Sequence, residues 1–132
     1  MPEATLYDRV GGLPFFERLV DRFYEGVESD PVLLGLYPDP AALAGARRRL
    51  TLFLVQYWGG PRTYLEERGH PRLRARHFPF AIGALARDRW LLHMRAAIDE
   101  SDAPQDARMQ LHEYMTLAAE AMRNREDDGP AA

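Results

Sequence analysis

The strongest constraint in this sequence is the spacing of apolar residues between Gly11-Gly12 and Ser29-Asp30-Pro31. Phe16, Leu19, Val20, Phe23 and Val27 recur at intervals of three and four, which makes one stripe along a helix. Pro14 suits the first turn of that helix. Tyr24 lies four residues past Val20 and therefore points toward the same interior. Strand-like alternation is weak throughout, whereas helical spacing returns in every long segment.

The remaining punctuation divides the chain into further helices. A short one is expected around Thr5–Val10, and a helical turn over Pro31–Leu36 delivers Tyr37. Asp39 can cap the next helix with Pro40 at its first position, and Leu43, Ala46, Leu50, Phe53, Leu54 and Tyr57 line one side of it. Gly59-Gly60-Pro61 stops it. Residues 61–70 read as loop with one helical turn, and a short helix from Pro71 ends at His77. A long helix follows over about 82–99, with Ile82, Ala86, Trp90, Met94 and Ala97 on one stripe. The last helix starts after Ser101-Asp102-Ala103-Pro104, with Ala107, Leu111, Tyr114, Ala118 and Ala121 or Met122 facing inward. The expected architecture is all-α: one domain over residues 1–123 and a frayed tail over 124–132.

Composition excludes several classes of function. The absence of cysteine rules out disulfides, thiolate zinc sites and thiolate nucleophiles. A net charge of −3 gives no global attraction to nucleic acid. No apolar run approaches the ~18 residues of a membrane-spanning helix, and the start of the chain is too polar for a secretory signal. The expected location is the cytoplasm. All 17 basic residues are arginine. A chain this short buries only ~65–70% of its unfolded surface, so a large apolar cofactor would add considerably to its core.

Of the four histidines, His70, His77, His93 and His112, none forms an HExxH or Glu-x-x-His pair. His93 and His112 read as surface or structural residues. His77 ends a short segment and shares a face with Leu73, one turn earlier. That placement suits a satisfied structural histidine and equally a proximal haem ligand, and spacing alone does not decide between them. The arginines around it, and Arg47-Arg48-Arg49, read as solvated faces, as a nucleic-acid patch, or as partners for propionates at a pocket rim. Tyr24, Tyr37 and Trp90 each bring a hydrogen-bond donor inward from a different segment, and such donors need partners when buried.

Taken together, several segments resemble the group II truncated haemoglobins, the actinobacterial kind in particular. They include Tyr7-Asp8-x-x-Gly11-Gly12, Arg22-Phe23-Tyr24, Tyr37-Pro38 and Leu43-Ala44-Gly45-Ala46. Gln56-Tyr57-Trp58-Gly59-Gly60-Pro61-Arg62-Thr63-Tyr64 and Arg68-Gly69-His70-Pro71-Arg72-Leu73-Arg74 are the most specific. Arg76-His77-x-Pro79-Phe80 and Arg87-Asp88-x-Trp90-Leu91 complete the set, so the likeness runs from about Leu6 to Met122.

The resemblance implies a two-over-two helical sandwich around haem b, with His77 as the iron ligand and Tyr24, Tyr37 and Trp90 facing the bound gas. Ala46 falls where many globins carry a distal histidine or glutamine, leaving the hydrogen bonding to the other three. Leu50, Phe53 and Leu54 would pack over the distal side of the ring, with Leu73, Phe80 and Ile82 also against it. Arg49, Arg76 and Tyr64 are the propionate candidates. Donors facing a ligand that carries superoxide character imply tight oxygen binding and slow release.

Two rival readings accompany this one. The chain could be a dedicated nitric oxide dioxygenase or peroxidase fed by an external reductase, since no reductase domain is visible in it. It could also be a haem-free helical interaction domain. Nothing in the sequence specifies the interface of a homodimer.

Overall fold

The fold is described from a computed structural model, which covers residues 4–37, 42–77 and 80–124, Arg74 by its backbone alone. The described residues form eight helices and no strands: α1 (Leu6–Val10), α2 (Leu13–Glu28), α3 (Pro31–Leu34), α4 (Ala42–Tyr57), α5 (Thr63–Arg68), α6 (Leu73–His77), α7 (Ala84–Glu100) and α8 (Gln105–Met122). No helix among these residues is long and apolar enough to cross a membrane.

Local chemistry sets the boundaries. Thr5 caps α1 in a reciprocal box with Asp8, each side chain accepting the other's backbone N–H at 3.2 Å. Pro14 sits in the first turn of α2. Asp30 caps α3 through Val32 N at 3.0 Å, with Pro31 at the first helical position. Gly59 closes α4 with φ of 105°, and a Cβ there would stand 2.5 Å from Thr5, so the turn needs glycine both for its backbone and for its neighbour. The expected Asp39–Pro40 start of α4 lies outside the described residues.

Two helix pairs make the body of the fold: α2 packs on α4, α7 packs on α8, and α2 crosses α7. Phe15, Phe16, Leu19, Val20, Phe23 and Val27 of α2 are buried in that crossing, together with Met94, Ala97 and Ile98 of α7. At Gly26 the two helices approach so closely that a Cβ would stand 2.3 Å from His93 Nδ1.

The stripe expected on the last helix is rotated. Ala107, Leu111, Met115 and Ala119 are the buried residues of α8, a straight run of steps of four. Tyr114 turns aside, partly buried, to pack on Tyr57 at 4.1 Å between ring centroids. Tyr57 itself, expected on the inner face of α4, is 50% exposed.

Ion pairs lace the outside, and every cation in the Lys/Arg class is a guanidinium. Arg9 of α1 reaches Asp106 of α8. Arg22 of α2 holds Glu100 of α7 at 2.7 Å. Arg47 of α4 takes both Asp21 and Glu28 of α2, and Arg87 of α7 reaches Glu120 of α8. Arg48 grips Glu67 of α5 through two nitrogens, at 2.5 and 2.7 Å.

Candidate functional site

Tyr24 and Tyr37 are brought into contact. Tyr24 is carried inward by α2 and is 4% exposed, and the segment after α3 swings Tyr37 against it until the two hydroxyls stand 3.4 Å apart. Either oxygen can donate to the other. Burial pushes the Tyr24 phenol far above its ordinary value; Tyr37 adds to this, and Arg49 and Arg47 pull the other way. Tyr37 is raised for the same first reason, against the opposing effects of its hydrogen bond to Tyr24 and the charge of Arg49. Both phenols are therefore proton holders at neutral pH. Because a pair shares one hydrogen bond, one hydroxyl proton stays available to a third partner.

Trp90 joins this group through Phe23. Its ring meets Phe23 edge-on at 5.1 Å, and Phe23 meets Tyr24 in the same manner at 5.0 Å. The Trp90 indole N–H has no hydrogen-bond partner among the described residues. Two helices and a loop thus place three donors along one aromatic string.

His77 ends α6, half-buried, with Nδ1 at 2.6 Å from the carbonyl of Leu73 one turn back. A carbonyl can only accept, so Nδ1 carries a proton, and in the neutral ring Nε2 is then the nitrogen with the lone pair. That arrangement is what a metal-ligating imidazole needs from its surroundings. Among the described residues no cluster of three His, Asp or Glu side chains could hold a bare metal ion. A single imidazole suffices when a porphyrin supplies the other donors.

The other expected residues fall in several settings. Ala46, Phe53 and Leu54 are buried on α4, and Leu50 is partly buried against the same core. Tyr64 is buried on α5 with its ring 5.8 Å from Phe53 and the Arg76 guanidinium 6.0 Å above it. Arg76 also donates to the carbonyls of Pro71 at 2.6 Å and Arg68 at 3.1 Å, so much of its hydrogen-bonding capacity serves the loop before α6. Arg49 is exposed on α4 and has no carboxylate partner among the described residues. Leu73 and Ile82 are partly buried, whereas Phe80 is exposed. An open groove over Phe15, Leu19 and Ala97 contains none of these residues.

Two features escaped the sequence. Asp30 is 2% exposed and accepts from Arg89 Nε at 2.8 Å and His93 Nε2 at 2.7 Å, besides capping α3. Burial alone would raise its carboxyl; the bonds from His93, Arg89 and the Val32 amide and the Arg89 charge together hold it below the usual carboxylate range. Arg89 and His93 flank Trp90 on α7, so this cluster ties the helix bearing Trp90 to the segment leading to Tyr37. Its only sequence trace is the Ser29-Asp30-Pro31 break that ends α2. Asn124 is the second. It stands where the frayed tail was expected to begin, yet it hydrogen-bonds to His77, Phe80 and Ile82; residues 125–132 lie outside the described residues.

The model of the bacterial-like globin family matches residues 5–124. The chain belongs to this family. Within it, the chain groups with the group II truncated haemoglobins, a two-over-two fold. It is 41% identical over 118 residues to the group 2 truncated hemoglobin YjbI of Bacillus subtilis, covering 89% of this chain and 87% of that protein. It resembles the thermostable hemoglobin of the actinobacterium Thermobifida fusca at 58% identity and a TM-score of 0.90, over 94% of this chain and all of that one. The group II truncated hemoglobin of Bacillus anthracis superposes with a TM-score of 0.90 at 37% identity, over 98% of each chain. A globin implies haem-based binding of a diatomic ligand. The residues present fit that group: an imidazole whose ring is oriented through Nδ1, a phenol pair with a spare proton, and on α4 the Arg49 guanidinium, which has no carboxylate partner among the described residues.

Proposed function

We propose that this globin is an oxygen-binding haem protein that holds its ligand tightly and releases it slowly. The observation that carries the reading is the phenol pair of Tyr24, buried, and Tyr37, partly buried, with hydroxyls 3.4 Å apart and both held above the ordinary phenol value by burial. When bound, the haem supplies an iron centre that takes a diatomic ligand and passes electron density to it. His77 would offer Nε2 to that iron, while Leu73 O keeps the ring from turning. The phenol pair would aim its spare O–H at the ligand, with the Trp90 N–H as a second donor. Such donors would gain strength beside the buried side chains of Phe23, Phe53 and Leu54, which offer water no partner. Ala46 leaves room on α4 for a ligand and contributes no donor of its own. Arg49 is the residue we assign to a propionate, and Arg76 and Tyr64 stand together as the second anchoring point.

The test is the absorption spectrum of the purified protein, ferric, ferrous and with carbon monoxide, alongside His77→Gly. A Soret band is expected in the native protein, altered in the variant and restored by added imidazole. A native protein that takes up no supplied haem would overturn the reading and favour a haem-free interaction domain. A variant with an unaltered spectrum would remove His77 as the ligand.

A further inference from the structure

We propose that Asn124 is a positioning residue for His77, setting where the imidazole points by clamping the chain that leaves α6. The proposal rests on His77 being the iron ligand, as argued above.

The argument starts from the length of α6, which is five residues. A helix this short is marginal by itself, because nucleation fixes several residues for very few hydrogen bonds. Its final carbonyls have no partners within the helix. His77 is the last residue of α6, and its carbonyl accepts from Phe80 N at 2.9 Å and from Asn124 Nδ2 at 3.3 Å. The same Nδ2 donates to Phe80 O at 2.7 Å, the stronger of its two bonds. Asn124 Oδ1 accepts from Ile82 N at 2.9 Å, and Asn124 N donates to Ile82 O at 2.8 Å. One residue just past α8 therefore holds both ends of the stretch from His77 to Ile82.

The chemistry selects asparagine. The clamp needs two N–H donors and one acceptor on a short stem, which an amide supplies and a carboxylate does not. The link to the imidazole is geometric. His77 Nδ1 is fixed on Leu73 O inside α6, so the ring moves with the helix. A shift of the His77 carbonyl would tilt α6 and carry Nε2 with it. Asn124 acts through His77 and does not itself reach the cofactor.

The experiment compares haem-loaded native protein with Asn124→Asp and Asn124→Ala. Asn124→Asp keeps the acceptor for Ile82 N and turns a carboxylate toward the carbonyls of His77 and Phe80. Resonance Raman of the ferrous, ligand-free protein reads the iron–histidine stretching band, and transfer to a haem-free acceptor globin reads haem loss. Amide hydrogen exchange at Ile82 reads the clamp directly. The expected result is a shifted or broadened iron–histidine band and haem loss faster by about 5–20-fold in both variants, as for one or two lost hydrogen bonds. Ile82 should exchange faster in Asn124→Ala. Gly59→Ala, which destabilises the fold away from α6, should leave the band in place.

An unchanged band with haem loss within about twofold of native would overturn the proposal and leave Asn124 as a closure for α8 alone. If neither variant folds, Asn124→Ser, which keeps one short donor, carries the same two readouts. A native protein without a Soret band would instead refute the haem reading, and this proposal with it.

Discussion

Replacing Asp30 tests the largest structural claim made for this globin, that one buried carboxylate joins the two halves of its donor string. Asp30→Ala removes the cap of α3, worth about 1 kcal/mol. It also leaves His93 and Arg89 facing a site with no anion. Breaking a buried pair by removing one partner costs about 3–5 kcal/mol. Arg89 is 41% exposed and can recover water, so the total should lie near the low end, about 3–4 kcal/mol. Asp30→Asn keeps the cap and the shape and loses the charge, for about 2 kcal/mol. For a domain of this size, ~3–5 °C of melting temperature per kcal/mol places Asp30→Ala ~9–20 °C below native.

The assay is urea and thermal unfolding followed by circular dichroism, repeated from pH 7 to pH 3. The folded carboxyl titrates below its unfolded value of about 3.9. Its stabilisation is therefore full above about pH 5 and is lost as pH falls through the folded value. Native protein should show the steeper acid decline, and its advantage over Asp30→Asn should shrink below about pH 4. Both variants within about 0.5 kcal/mol of native at pH 7 would refute the reasoning, because a carboxylate with three partners cannot be removed from a core at so little cost.

Two other perturbations bear on the site and its frame. Trp90→Phe and Tyr37→Phe should each speed oxygen dissociation by roughly 10–150-fold, the equivalent of a charge-assisted hydrogen bond of ~1.5–3 kcal/mol; stopped-flow off-rates unchanged in both would remove the donor string from the mechanism. Gly26→Ala should destabilise by about 2 kcal/mol or more, since its Cβ would press on a His93 that Asp30 holds in place; denaturant midpoints check this, and a native-like midpoint would mean the α2–α7 crossing can yield.

Much of this was legible beforehand, and the reasons are specific. The α2 stripe, its glycine and proline limits and the inward Tyr24 follow from periodicity, which a single helix face expresses fully. The site was less legible because its residues act across segments. Tyr37 meets Tyr24 only because α3 ends in a turn that redirects the chain, and Asp30 reads as part of an ordinary helix break until α7 folds over it. The α8 stripe was misjudged because Tyr114 and Met115 are neighbours of similar hydrophobicity, and only the arrival of Tyr57 decides which one turns inward. Asn124 lies in a polar, small-residue stretch that composition marks as tail. Its partners are main-chain atoms of a distant loop, which no side-chain pattern can announce.

The all-arginine ion pairs have a consequence for titration. Lysine and cysteine are both absent, and guanidinium groups stay charged at any pH a protein survives. Of the ordinary titrating classes whose reference values lie between histidine's ~6.5 and tyrosine's ~10, only the α-amino group is left. Across mildly alkaline solution the helix-bridging pairs therefore keep their charges, with Arg9, Arg22, Arg47, Arg48 and Arg87 still in place. A change in ligand kinetics in that range would point away from the helix-bridging pairs, whose charges do not move there.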